Sequence, residues 1–360
     1  MLKDGLSRSN PGVKRRTGVP CEIGSDANTP RPWIGLGRPR GLTGCFLFYV
    51  ATRLIPALLV LALSWLRVMA QSNLAEPTLK TAEVGHGITL HYVDLGKGVP
   101  VIFVHGSLSD GSYWADQVGE FAKHYRAIAY SRRYNYPNNN PAVAGYSAVE
   151  DAKDLAALTK ALDLGRVVVI GHSYGALTAL VLAAKHPELV RALVLAEPPS
   201  VSLLGHLPRD EARRGKAMLE DIKLRMVMPM RQAFGRGDRD AGVGVFINYV
   251  FNNPHAWDQI SNTARDETLR NAHEWDVMMT AGTLFPDIAP RTIRRITTPT
   301  LLLSGSKTYP FLGLITQELG RLLPHHEMIV LPDAGHQMWY EAPDTCRNDV
   351  EAFLAHVGVH

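Results

Sequence analysis

Val167-Val-Val-Ile-Gly-His-Ser-Tyr-Gly-Ala-Leu-Thr-Ala-Leu-Val-Leu-Ala-Ala184 joins an apolar β-branched run to an apolar helical run through a short turn. The first run predicts a buried strand and the second a buried helix. Gly171 and Gly175 frame Ser173 and leave room for a sharp turn that lifts the serine hydroxyl over the sheet edge. The order of strand, turn and helix therefore predicts a nucleophile, against the alternative of a Gly-rich turn that only closes a strand.

Short apolar runs alternate with helical periods from about residue 79 onward, which predicts crossovers and a parallel sheet buried on both faces. Weaker strands before Gly87 and at 88–93 predict an antiparallel start. The clearest strands are 101–104, 127–130, 167–170, 192–195, 301–303 and 328–331, and the clearest helices are 148–162, 176–185, 314–323 and 345–357. We therefore predict an α/β fold with a mostly parallel eight-stranded sheet and helices on both faces.

About 100 residues separate the strand that ends at Leu195 from the strand that starts near Leu301. A structureless loop of that length is unusual inside a compact domain. Helical patterns occur at 210–228 and 266–279, so we predict an inserted helical cap at about residues 199–298. Its aromatic and methionine side chains would pack the cap or line an apolar pocket.

Two further motifs follow predicted strands. His105-Gly106-Ser107 comes directly after the strand at 101–104, and Asp333-Ala-Gly-His336 comes after the strand at 328–331. Because the carboxyl ends of parallel strands meet at one edge of a sheet, these motifs are expected near Ser173.

With these motifs the chain resembles the α/β-hydrolase superfamily. The resemblance implies an oxyanion hole formed by the backbone N–H groups of Ser107 and Tyr174, with Gly106, Gly171 and Gly175 shaping the turns. It implies that His105 is a structural turn residue and that His336 is the general base. The order of nucleophile before histidine fits as well.

The acidic partner of the histidine departs from the commonest pattern of the superfamily, in which it follows the strand after the cap. That position holds Gly305-Ser-Lys-Thr308, and a threonine cannot supply the charge that stabilises an imidazolium. The preceding strand ends in Ala196-Glu197-Pro198, and some superfamily members take their acid from this strand end. We therefore predict Glu197 as the acid; a merely structural Glu197, or a cap carboxylate such as Asp276, is the alternative.

The predicted function is hydrolysis of a carboxylic ester or lactone through an acyl-enzyme on Ser173. The alternative is a catalytically weak ligand-binding protein of the same fold, and Thr308 is its main support. Dehalogenases and epoxide hydrolases are disfavoured, because they need an aspartate nucleophile. No cofactor and no metal are predicted, since neither a phosphate-loop spacing nor a metal-ligand pattern occurs.

The first 70 residues differ in composition from the rest of the chain. They hold 10 lysines and arginines against 3 acidic residues, within a total of 38 against 34. The remainder is mildly acidic, so nucleic acid is not expected as a partner. Residues 1–49 are expected to be disordered or a gene-model extension, and Arg53 with the apolar run at 54–66 predicts a signal peptide or membrane anchor at about 50–70.

Removal of this leader would leave Cys346 as the lone cysteine of a hydrolase domain at 71–360. The predicted location is periplasmic or secreted, with membrane anchoring through an uncleaved leader as the alternative. The expected partner is a small-molecule ester or lactone, and the sequence leaves the oligomeric state open.

Overall fold

The computed structural model describes residues 78–281 and 284–360. The predicted extension at 1–49 and the predicted signal peptide or anchor at 50–70 lie outside the described residues. Within the described ranges, no helix combines the length and the apolar character needed to cross a membrane.

One eight-stranded sheet forms the centre of the described chain, in the order β1-β2-β4-β3-β5-β6-β7-β8. Strands β1 and β2 run antiparallel to their neighbours, and the other strands are parallel to one another. The strands are β1 Lys80–Glu83, β2 Thr89–Gly96, β3 Pro100–Val104, β4 Arg126–Tyr130, β5 Val167–His172, β6 Val190–Ala196, β7 Thr300–Gly305 and β8 His326–Leu331. The predicted fold class is thereby confirmed.

Alternate residues of the central strands point to two separate apolar cores. Ile102, Ile128 and Val169 belong to one core, and Phe103 and Ile170 belong to the other. This alternation follows from the two-residue period of a strand, and both faces are apolar because helices cover both.

Helices outside the cap cover the two faces of the sheet. Those packed in the first core are α2 Ala148–Ala161, α3 Tyr174–Lys185 and α11 Pro310–Leu322; those packed in the second are α1 Ala115–Phe121, α12 Met338–Glu341 and α13 Pro343–His356. Strand β8 lies at the sheet edge, and Met328 and Val330 remain 42% and 53% exposed. The apolar character of these residues predicts a strand, and β8 confirms it. The face of β8 that carries Met328 and Val330 is not covered by a helix among the described residues.

The segment between β6 and β7 is helical along most of its described length. Its helices are α4 Ala212–Ile222, α5 Met228–Gly235, α6 Arg239–Val250, α7 Ala256–Gln259, α8 Asn262–Leu269, α9 His273–Ala281 and α10 Pro290–Ile293, with a π-helical turn at Lys223–Val227 joining α4 to α5. The pattern at 266–279, expected to be one helix, is divided between α8 and α9. The interruption at 270–272 brings Arg270 and Asn271 to Asp110 of the body.

Candidate active site

Ser173 occupies the sharp turn between β5 and α3. Its backbone lies at φ 53° and ψ −123°, a strained conformation for a residue with a side chain. A Cβ atom on Gly175 would lie 2.2 Å from the carbonyl oxygen of Val104, and one on Gly171 would lie 2.6 Å from the Cα of Ala176. Only glycine fits at these two positions, so the chain can make the turn that presents the serine hydroxyl.

The backbone amides of Ser107 and Tyr174 lie in the two loops that meet at Ser173. Tyr174 is the first residue of α3, where an amide has no intrahelical acceptor. The loops are in close contact, because a Cβ on Gly106 would fall 3.1 Å from the Cβ of Ser173. The structure thus brings the segments that carry the two predicted oxyanion donors together at Ser173.

His336 follows β8 and is linked to the acid predicted on β6. Its Nδ1 lies 2.6 Å from Oε2 of Glu197, and both side chains are buried. Asp276, the alternative acid, instead contacts Arg239 and His273 within the cap. Among the carboxylates weighed for this role, the structure places Glu197 at the histidine.

The Glu197 carboxylate is also held by the end of β7 and the loop that follows it. Oε1 accepts hydrogen bonds from the hydroxyl of Ser304 at 3.0 Å and from the N–H of Gly305 at 2.8 Å, and Oε2 accepts from the Thr308 hydroxyl at 2.7 Å. Thr308, at the expected acid position, thus donates to Glu197, the predicted acid that directly follows the neighbouring strand β6. Three donors therefore hold the Glu197 carboxylate in addition to its contact with His336.

His172 supports the backbone next to the candidate base. Its Nε2 lies 2.8 Å from the carbonyl oxygen of His336, and its ring stacks on Tyr113 at 5.4 Å. Complete burial, with the nearby His336, holds the pKa of His172 well below its usual range. A neutral His172 can therefore donate to the His336 carbonyl. Its place inside the turn motif was the available sequence signal, and our sequence interpretation gave it no role.

His105 lies in the loop after β3 and makes only structural contacts. Its Nε2 accepts the backbone N–H of Arg132 at 2.9 Å, so Nδ1 carries the proton and donates to the carbonyl of Gly106 at 2.8 Å. Burial, with the charge of Arg132, lowers its pKa to about 3. Both ring nitrogens are engaged, as expected for a turn residue and not for a base.

Two cavities of very different size meet at Ser173 and His336. The wide cavity has a volume of about 580 Å³ and is also lined by Ser107, Tyr113, Phe246, Phe251, Arg270 and Tyr340, among others. The narrow recess measures only about 20 Å³ and is apolar. Its walls include Ser107, Tyr174, Met226, Phe246, Trp275 and Phe285.

The cap is joined to the body by ion pairs that our sequence interpretation missed. Arg132 after β4 donates to Asp151 of α2 at 2.8 Å and to Glu274 of the cap at 2.5 Å. Asp110 accepts from Arg270 and Asn271 of the cap at 2.8 and 3.0 Å. Two consecutive arginines directly after a buried strand were the signal that could have indicated such pairing. Among the described residues, no group of three or more potential metal-ligating side chains occurs.

Comparison with known proteins agrees with this architecture. Residues 101–348 match the alpha/beta hydrolase family. The chain is 27% identical over 286 residues to a 2-hydroxy-6-oxo-6-(2'-aminophenyl)hexa-2,4-dienoic acid hydrolase of Metapseudomonas resinovorans, covering 75% of this chain and 88% of that protein.

Solved structures show the same fold. A thermophilic esterase from Thermogutta terrifontis aligns with a TM-score of 0.58 at 22% identity, covering 79% of this chain and 99% of the esterase. An enol-lactonase from Burkholderia xenovorans LB400 aligns with a TM-score of 0.58 at 20% identity, covering 76% and 99%. Because the family match spans residues 101–348, more than half of the chain, the chain belongs to the alpha/beta hydrolase family.

Proposed function

We propose that this protein is a serine hydrolase that cleaves a carboxylic ester or lactone through an acyl-enzyme on Ser173. The contact between Glu197 and His336 carries the proposal. A fully buried carboxylate lies 2.6 Å from the histidine Nδ1 and is oriented by three further donors. This arrangement fixes the tautomer in which Nε2 is free to accept a proton.

The residues suggest a two-step acyl transfer. His336 Nε2 takes the proton of the Ser173 hydroxyl as its oxygen attacks the ester carbonyl, and the N–H groups of Ser107 and Tyr174 stabilise the oxyanion. The C–O bond to the alcohol breaks, and His336 returns the proton to the leaving oxygen. Water then attacks the acyl-enzyme with the same histidine as base, which releases the acid and restores Ser173.

The two cavities suggest an asymmetric substrate. The narrow recess is lined by both residues that supply the proposed oxyanion donors, and its volume of about 20 Å³ is close to that of one small group. For an open-chain ester, we therefore expect an acyl group the size of acetyl there. The wide cavity of about 580 Å³ has room for a much larger alcohol.

Labelling and turnover test the proposal together. A fluorophosphonate probe should label Ser173, and Ser173→Ala and His336→Ala should each abolish labelling. Hydrolysis of 4-nitrophenyl esters should be fastest for acetate and should fall as the acyl chain grows, and a parallel series of lactones and amides would define the bond cleaved. Absence of labelling and turnover in folded protein would instead favour the ligand-binding alternative.

A further inference from the structure

The peptide group between Gly106 and Ser107 has two sides with different partners. Its N–H is the proposed oxyanion donor of Ser107. Its carbonyl oxygen accepts hydrogen bonds from Nη2 of Arg132 at 3.1 Å and from Nδ1 of His105 at 2.8 Å. Donors at a carbonyl polarise the amide, strengthen its N–H as a donor and fix the plane of the peptide. The position of Arg132 therefore affects the orientation and the donor strength of the Ser107 N–H in the proposed oxyanion hole.

Glu274 of α9 links the cap to the peptide groups on both sides of Ser107, to one directly and to the other through Arg132. Its Oε2 accepts from Nη2 of Arg132 at 2.5 Å, and its Oε1 accepts from the backbone N–H of Leu108. Leu108 has a φ of 56°, a left-handed conformation that costs a leucine about 1–2 kcal/mol without outside support. A single cap carboxylate thus holds the residue after Ser107 and the guanidinium that polarises the preceding carbonyl.

The body holds the other side of the guanidinium. Nη1 of Arg132 donates to Asp151 at 2.8 Å and to the hydroxyl of Tyr146 at 3.2 Å, and the guanidinium carbon lies 4.9 Å from the ring centre of Tyr174. Arg132 and Glu274 have no exposed side-chain surface. In such a dry environment the pair is rigid and is little screened by salt.

We propose that Glu274 is a positioning residue by which the cap sets the Ser107 amide for the transition state. The inference depends on the proposed serine hydrolase function. It assigns the cap a role in the rate of the chemical step as well as in forming the walls of the cavity. A purely structural role would predict lost stability without a selective loss of transition-state binding.

The test compares Glu274→Gln with a buried ion pair that does not touch the oxyanion loop. Arg133 and Asp154 form such a pair, with contacts of 2.5 and 2.7 Å, so Asp154→Asn is the matched control. In Glu274→Gln the amide cannot accept from both Arg132 and Leu108 through oxygen. We expect kcat on 4-nitrophenyl acetate to fall about 10- to 100-fold, a part of the 10²- to 10³-fold that loss of an oxyanion donor causes. KM should change less than about threefold, and Asp154→Asn should lower the melting temperature with kcat within about twofold of the original protein.

The inhibition constant of a transition-state analogue is a second measurement, and a change in protein stability alone would not alter it. Methyl trifluoromethyl ketone forms a tetrahedral adduct with a serine nucleophile, and its Ki should rise in Glu274→Gln by the same factor as kcat falls. Glu274→Asp keeps the buried charge but is too short to reach both partners, so it serves if the glutamine variant does not fold, and the same loss is expected. Equal kcat losses in the Glu274 and Asp154 variants, or an unchanged Ki, would overturn the inference. Failure of the unaltered protein to turn over esters or to label at Ser173 would overturn the proposed function instead.

Discussion

Glu197→Gln should distinguish the effect of Glu197 on the orientation and tautomer of His336 from its effect on packing. The hydrogen-bond partners of the carboxylate determine which way round the glutamine amide is bound. The backbone N–H of Gly305 can only donate, and it lies 2.8 Å from Oε1. The amide oxygen must therefore take the Oε1 position, which places the NH₂ group at Oε2 against Nδ1 of His336. Nδ1 is then forced to accept a hydrogen bond, and the proton moves to Nε2, the nitrogen proposed to activate Ser173.

The expected fall in kcat is large, because every turnover needs the tautomer in which Nδ1 carries the proton and Nε2 is free. Reversing the tautomer of a triad histidine in this way lowers kcat about 10⁴-fold, or about 5 kcal/mol of transition-state stabilisation. Stability should change much less, since Ser304 and Thr308 have hydroxyls that can rotate to donate or accept. Thr308→Val removes one donor at 2.7 Å but leaves the charge in place, so its loss should stay within about tenfold.

Steady-state hydrolysis of 4-nitrophenyl acetate measures both variants, with circular dichroism melts as the check on folding. His336→Ala should lower kcat at least as much as Glu197→Gln, and the double variant should be little worse than His336→Ala alone, because residues that act as a unit are not additive. A folded Glu197→Gln protein that loses less than tenfold in kcat, or no more than Thr308→Val loses, would refute the assignment of Glu197 as the acid.

Three further outcomes follow from local geometry. Gly175→Ala should lower the free energy of unfolding in urea by about 3 kcal/mol or more, because the new Cβ would lie 2.2 Å from a backbone oxygen. Gly119→Ala in α1 is the control: its Cβ would meet nothing within 4 Å, so it should raise that free energy by about 0.5–1 kcal/mol. Burial and the charge of Arg132 lower the pKa of His105 to about 3, so below pH 6.5 the unfolded chain binds more protons than the folded one. As the pH falls from 6 to 4, the free energy of unfolding should therefore decrease about 1.4 kcal/mol per pH unit more steeply than in His105→Gln. Burial raises the pKa of Cys346 to about 12, so mass spectrometry after iodoacetamide treatment at pH 8 should find this thiol modified only in denaturant.

Most of the sheet could be predicted from the sequence because its strands are buried on both faces. Continuous apolar runs such as Val167 to Ile170 have few structural alternatives when glycines and helical periods flank them. The break at 270–272 could not be predicted in this way. The helical pattern continues through it, and the helix is interrupted where Arg270 and Asn271 bind Asp110, about 160 positions earlier in the chain.

The residues of the candidate site also fall into those that local motifs predict and those that depend on long-range contacts. Ser173 and His336 could be placed from local motifs, because each lies in a turn whose residue types depend on backbone geometry. Arg132 and Glu274 could not, since they are 142 positions apart and neither lies in a motif that requires its partner. A single sequence gives little indication of long-range ion pairs, so the contact between the cap and the loop after β3 could be found only from the three-dimensional structure.

The position of Glu197, the proposed acid, suggests why such an acid could follow either of two neighbouring strands. Strands β6 and β7 are parallel neighbours, with Ala196 opposite Leu303, and the N–H of Glu197 donates to the Leu303 carbonyl. The residues after both strands therefore reach the same sheet edge, within range of one histidine. Glu197 has a φ of 49°, which costs about 1–2 kcal/mol for a residue with a side chain. The hydrogen bond from Thr308 offsets part of that cost, so a threonine at the usual acid position is compatible with the proposed triad.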